Sequence, residues 1–176
     1  GAANSRKMLR RAIRRNSEAT IVAAGCHSEV APEEFREIEG VDLIVGNVNK
    51  PRIPELVASD KRGVIPSEKE ELAFEAFDIS SFSEHSRAFI KIQEGCNWYC
   101  TYCLIPYARH ILKSRPRQSV TQQVNTLVRQ GYREVVVAGT HLGLYGADLR
   151  DSTTLVDVLK AICSETDLER IRLSSL

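Results

Sequence analysis

The chain has 176 residues, 43% hydrophobic and 27% charged, with a net charge of +1, proportions of a soluble globular protein with room for one ordinary domain or two small ones. No apolar run approaches the ~20 residues of a membrane-crossing helix, and no signal peptide is visible, so neither a membrane partner nor export is expected. Five cysteines, an odd number and mostly clustered, point to a cytoplasmic protein in a reducing compartment rather than to a disulfide scaffold.

Residues 1–16 carry Arg6, Lys7, Arg10, Arg11, Arg14 and Arg15 and no acidic side chain, around an apolar stripe of Leu9, Ala12 and Ile13 at helical spacing. The expected element is a basic amphipathic helix. Its like charges recur at i,i+4, which costs roughly 0.2–0.5 kcal/mol per pair unless an anion offsets them. RNA phosphate is one such anion, and acidic groups elsewhere in the chain are the alternative.

Residues 20–24 read as a short buried strand, and Gly25-Cys26-His27 as a turn at its C-terminal end, where ligands collect in α/β folds. A helix is expected from Pro32 through Phe35 and Ile38 to Gly40, a second strand over 41–45, and a short helix over 49–57. Strand, helix, strand, helix at this spacing predicts a parallel sheet with right-handed crossovers. Taken alone, Cys26 is a buried structural thiol. Over 59–86 the pattern gives way to Ser, Lys, Glu and Asp with isolated Phe74, Phe77, Ile79 and Phe82, read as an interdomain connection pinned by its aromatics.

Residues 87–92 are a strand, and from its end springs Cys96-Asn97-Trp98-Tyr99-Cys100-Thr101-Tyr102-Cys103. Thiolates are soft ligands that suit zinc, copper(I) and iron–sulfur clusters. Three of them on one loop leave a coordination position unfilled. That fits a structural zinc completed by a fourth side chain, or an iron–sulfur cluster with one iron open to a small molecule. A second ligand pair is missing: His27, His85, His110 and His141 are scattered singly, and Cys26 and Cys163 stand alone. His110 is a candidate fourth ligand. The aromatics Trp98, Tyr99 and Tyr102 can shield such a centre from water.

Beyond the loop, Arg109, Lys113, Arg115 and Arg117 make a basic stretch. Ser119-Val120-Thr121-Gln122 reads as a capping box opening a helix with Val120, Val124, Leu127 and Val128 inward, closed by Gly131. Residues 133–138 are a strand apolar on both faces, as a covered parallel strand should be. Gly139-Thr140-His141-Leu142-Gly143-Leu144-Tyr145-Gly146 follows, its glycines letting a ligand approach the backbone closely. Residues 154–163 are a third helix with Leu155, Val158, Leu159 and Ile162 inward and Cys163 read as core, and 168–173 a third strand.

Cys96-x-x-x-Cys100-x-Tyr102-Cys103 resembles the signature of radical S-adenosylmethionine enzymes. The resemblance implies that Cys96, Cys100 and Cys103 hold a 4Fe-4S cluster whose open iron is chelated by S-adenosylmethionine, with Tyr102 near the adenine and Gly139, Thr140 and His141 beside the methionine amino group. Gly25-Cys26 with Pro32-Glu33-Glu34 and Gly40-Val41-Asp42-Leu43-Ile44-Val45-Gly46-Asn47 resembles the N-terminal domain of the methylthiotransferase branch. There Cys26 matches the third of three cysteines of a second 4Fe-4S cluster, the first two lying outside this chain. Pro106-Tyr107-Ala108-Arg109 is similar to a stretch of the same family, with His110 where glycine is usual.

The resemblance therefore implies an α/β chain. Residues 1–58 are the C-terminal part of a small parallel α/β domain, 59–86 a connection, and 87–176 the first three β/α units of a radical S-adenosylmethionine partial barrel. Its implied activity is methylthiolation at C2 of a hypermodified adenosine beside the tRNA anticodon, through a deoxyadenosyl radical and with an electron donor such as flavodoxin. Gly139-Thr140-His141-Leu142-Gly143-Leu144-Tyr145-Gly146 resembles the branch acting on threonylcarbamoyladenosine more than those acting on isopentenyladenosine or a ribosomal-protein aspartate. Opening without methionine and closing in mid-strand, the chain is expected to be a piece of a longer protein that binds S-adenosylmethionine without turning over. The reading of another class is a zinc-stabilised RNA-binding module without catalysis.

Overall fold

The computed structural model describes residues 2–67, 74, 87–109 and 111–176; most of the expected connection over 59–86, and His110, lie outside the described residues. The chain is mixed α/β with parallel sheets and forms two compact units, 1–70 with 101–109, and 71–100 with 110–176.

In the first unit, α1 (Ala2–Arg15) lays Leu9 and Ile13 against a core of Ala23, Phe35, Ile38 and Ile44, while Ala12, expected inward, is exposed. The strand β1 (Val22–Ala24) leads through Gly25 into α2 (Cys26–Val30). The expected turn over 25–27 is thus Gly25 alone, whose φ of 138° suits glycine, and Cys26 opens a helix. Next come α3 (Glu33–Arg36), β2 (Leu43–Val45), a 3-10 turn (Asn47–Arg52) and α4 (Ile53–Ala58). The helix expected to reach Gly40 is only four residues of α-helix. A further strand, β3 (Gly63–Ile65), falls where a connection was expected, too short and too flanked by charge to show periodicity. The sheet runs β1-β2-β3, all parallel.

The second unit begins with β4 (Ala88–Lys91) and β5 (Gln93–Glu94). After the cysteine loop, α5 (Ile105–Arg109) groups with the first unit. The second unit resumes with β6 (Lys113–Ser114), antiparallel to β5, then α6 (Arg117–Arg129), β7 (Glu134–Ala138), α7 (Leu155–Glu165) and β8 (Arg170–Leu173). Its main sheet is β4-β7-β8, all parallel. Ile90, Val120, Val124, Leu127, Val135, Val137, Val158 and Ile162 form one buried cluster between that sheet and the two helices, the non-directional burial that dominates folding.

Two local expectations differ from the structure. The helix α6 starts at Arg117 behind Pro116 and carries no side-chain cap; the Ser119 hydroxyl, expected as the cap, instead accepts from Arg115 Nε at 2.9 Å. A capping box does occur at Thr154 and Asp157. Cys163 is exposed, because the buried face of α7 is centred on Val158, Ala161 and Ile162 and the next residue lies roughly 100° around the helix.

Candidate functional site

Ile92 is where the chain changes partner. Its N–H donates to the Ala138 carbonyl at the end of β7 (2.9 Å), and its own carbonyl accepts from Arg115 N–H beyond β6 (2.8 Å). This bend turns the next side chain, Gln93, into a wholly buried position. Gln93 Nε2 donates to the Gly95 carbonyl at 2.7 Å and the Glu94 carbonyl at 3.1 Å, and its Oε1 accepts from His141 N–H at 2.8 Å. One amide, satisfied at both ends, thus ties the root of the cysteine loop to the segment after β7.

Glycines make this joint possible. A Cβ on Gly139 would lie 2.8 Å from Leu142 Cδ2 and 2.9 Å from Gln93 Oε1. Gly95 has φ +80°, and its Cβ would come within 2.2 Å of the Ile111 carbonyl oxygen. Of the residues expected near a cofactor, Gly139, Thr140 and His141 are half-buried. The His141 ring meets Trp98 edge-on, centroids 4.6 Å apart at 75°, and among the described residues its buried Nδ1 has no hydrogen-bond partner. Tyr102 is 90% exposed. Tyr99 sits in the left-handed region at φ 48°, a conformation that costs a non-glycine residue roughly 1–2 kcal/mol.

Below this segment Tyr145 is buried and its hydroxyl donates to the Arg115 carbonyl. Burial, then the nearby Asp151 and Asp148 carboxylates, push its hydroxyl up to about 12. The loop is braced again where Asp148 Oδ2 accepts from Ser114 N–H at 2.8 Å.

Cys96, Cys100 and Cys103 are half-buried and none is in a disulfide. Cys96 and Cys100 fall in the second unit and Cys103 in the segment that groups with the first. Among the described residues no group of three His, Cys, Asp or Glu side chains is drawn together as a metal site. The donor chemistry nonetheless fits: three free, partly sheltered thiols on one short loop are the soft ligand set that iron–sulfur clusters and zinc take.

In the first unit Cys26 is half-buried beside a cavity of about 170 Å³, lined also by Ser5, Leu9, Gly25, His27 and Phe35. His27 Nε2 lies 3.3 Å from Glu34 Oε2, Arg6 pairs with the same carboxylate, and the His27 ring packs edge-on against Phe35 at 4.8 Å. The helix that Cys26 opens, α2, packs on α5, which begins two residues after Cys103. Asn47 joins the two: its N–H donates to Glu29 Oε2 at 2.6 Å and its Nδ2 to the Ala108 carbonyl at 2.5 Å.

Neither Gln93 nor Asn47 carries a local signal of its role. Strand parity puts Gln93 on the face of half-exposed Lys91, and only the change of partner at Ile92 buries it. Asn47 ends the 40–47 stretch that resembles the family, with nothing there to mark its side chain as a bridge.

No family model matches the chain. Over its whole length it is 36% identical to the threonylcarbamoyladenosine tRNA methylthiotransferase MtaB of Bacillus subtilis, covering 40% of that protein, and 36% identical to the MtaB of Aquifex aeolicus, covering 44%. Over 90% of the chain it is 32% identical to a tRNA-2-methylthio-N(6)-dimethylallyladenosine synthase of Thermotoga petrophila, covering 36% of it. The chain is thus similar along its whole length to proteins named as methylthiotransferases, most of them of the MtaB branch, and it spans about two fifths of the length of these relatives.

Proposed function

We propose that the chain is the cluster-bearing part of a tRNA methylthiotransferase that modifies C2 of threonylcarbamoyladenosine next to the anticodon. The observation that carries this reading is the match to MtaB proteins along the whole chain, with three free, half-buried thiols at the expected loop. Cys96, Cys100 and Cys103 are the residues to hold a 4Fe-4S cluster, and Cys26 one ligand of a second, completed by residues of the longer protein. When bound, such a cluster supplies the electron for reductive cleavage of S-adenosylmethionine, itself received from a donor such as flavodoxin.

The chain's own residues orient and shelter the reactants. Gly139, Thr140 and His141 are the residues to lie beside the methionine amino group, His141 with a buried Nδ1 that has no hydrogen-bond partner among the described residues, and exposed Tyr102 and Trp98 offer flat faces to an adenine. A base in an anticodon loop is reachable because single-stranded bases splay from the stack.

Two experiments test this. Anaerobic reconstitution with iron and sulfide should give a brown protein with the absorption and Mössbauer spectra of a 4Fe-4S cluster, lost in Cys100→Ala; a colourless protein that binds one zinc and no iron would point to the RNA-binding module instead. Mass spectrometry of tRNA nucleosides from cells lacking the parent protein should show loss of 2-methylthio-threonylcarbamoyladenosine. Loss of the isopentenyladenosine derivative would assign the other tRNA branch.

A further inference from the structure

The helix α1 is anchored by Leu9 and Ile13 in the first unit's core, and Ile13 also lies under Gly40, where a Cβ would come within 2.9 Å of Ile13 Cγ2. At 3.6 residues per turn, Lys7, Arg10, Arg11, Arg14 and Arg15 then occupy an arc of roughly 140° on the side away from those anchors, and all five are exposed. Arg6, at the edge of the arc, pairs with Glu34, and Arg14 Nε donates to the Arg10 carbonyl. Among the described residues Lys7, Arg10, Arg11 and Arg15 have no ion pair or side-chain hydrogen bond.

A helix held with unneutralised cations at i,i+4 (Lys7 with Arg11, Arg11 with Arg15) is destabilised by its own charges. The arrangement suits a surface that meets a polyanion. From Lys7 to Arg15 the axis rises ~12 Å, a span on the scale of about three successive phosphates of one strand.

We propose that the exposed face of α1 binds the phosphodiester backbone of the RNA substrate without reading its sequence, as a second contact apart from the modified base. This rests on the tRNA reading above for the class of RNA. An acidic protein surface is the competing occupant. A bidentate guanidinium serves phosphate and carboxylate alike. RNA is favoured because the cations recur along one helix face as phosphates recur along a strand, and because the relatives matched along the whole chain are named for tRNA modification.

The test uses the full chain and the quadruple variant Lys7→Gln, Arg10→Gln, Arg11→Gln, Arg15→Gln, which spares Arg6 and Arg14. Binding to an unmodified tRNA transcript, to an unrelated RNA hairpin and to polyglutamate is followed by fluorescence anisotropy across a salt series. The expected result is that the variant weakens both RNAs alike, by ~10-fold or more near 0.1 M salt, and flattens the slope of log Kd against log salt by about 2–3. Its helical circular dichroism should be unchanged and its melting temperature no lower, since like-charge pairs have been removed. Unchanged affinity and slope in the variant overturn the inference, as does a wild-type preference for polyglutamate or failure of the wild-type chain to bind RNA. The tRNA reading stands or falls separately, on the nucleoside mass spectrometry.

Discussion

Gln93 Oε1 accepts a hydrogen bond from the His141 backbone N–H at 2.8 Å, while its Nε2 donates to the Gly95 carbonyl at 2.7 Å. Two loops 48 residues apart in sequence are therefore positioned by one buried side chain. Gln93→Leu keeps the volume but takes their partner from the part-buried His141 N–H and from the Gly95 and Glu94 carbonyls, a loss of about 1–3 kcal/mol. Urea unfolding measures it, and alkylation of Cys96 should quicken as the root of its loop loosens. A loss below about 0.5 kcal/mol with unchanged alkylation would mean that the amide is not what joins the loops.

Gly95 and Gly131 both have positive φ, +80° and +91°, yet they should respond differently to alanine. At Gly131 nothing lies within 4 Å of the new Cβ, so only the conformational cost of roughly 1–2 kcal/mol applies. At Gly95 the Cβ also meets the Ile111 carbonyl oxygen at 2.2 Å, a backbone atom that can yield only by moving the chain. Denaturant titrations should rank Gly95→Ala clearly below Gly131→Ala in stability; equal losses would contradict the close approach.

Thr154 caps α7, with Asp157 N–H donating to its hydroxyl at 3.3 Å and Thr154 N–H donating to Asp157 Oδ2 at 2.9 Å. Thr154→Ala should cost about 1 kcal/mol. The Thr154 hydroxyl and N–H hold the Asp157 carboxyl below its ordinary value of 3.8. A lowered carboxyl contributes stability that is present above that ordinary value and lost as pH falls through the lowered one. Thermal melts from pH 6 down to 2 should therefore show a shallower acid decline in Thr154→Ala than in the parent chain.

Tyr145 titrates in the opposite sense. Its hydroxyl is raised from 10 to about 12, so its contribution is complete below pH 10 and disappears as pH rises towards 12. Tyr145→Phe removes the donor to the Arg115 carbonyl, costing about 0.5–1.5 kcal/mol at neutral pH, and should lessen the alkaline loss. An alkaline melting series decides it: a decline of the same steepness in both proteins would assign the effect to other groups.

Cys163 is the one exposed thiol among the five, the others being half-buried. It should react first with a thiol reagent, and Cys163→Ser should change stability by less than about 0.5 kcal/mol with no effect on iron uptake. Fastest labelling at Cys96 or Cys100 would reverse the order of exposure.

The sequence by itself determined the α/β class, the main helices and most of the strands, because hydrophobic period and glycine punctuation are local signals. It also determined the cysteine loop, since three soft donors in eight residues carry their chemistry wherever the chain goes. Tertiary structure alone decided what depends on partners distant in sequence. Ile92 switches from β7 to the segment after β6, and so Gln93 turns inward. Arg115 engages the Ser119 hydroxyl, so the apparent capping box is no cap. The buried face of α7 settles one residue away from Cys163, a shift of about 100° that separates core from solvent. Placing α5, directly behind Cys103, against the helix that Cys26 opens joins segments some eighty residues apart, a contact no local pattern encodes.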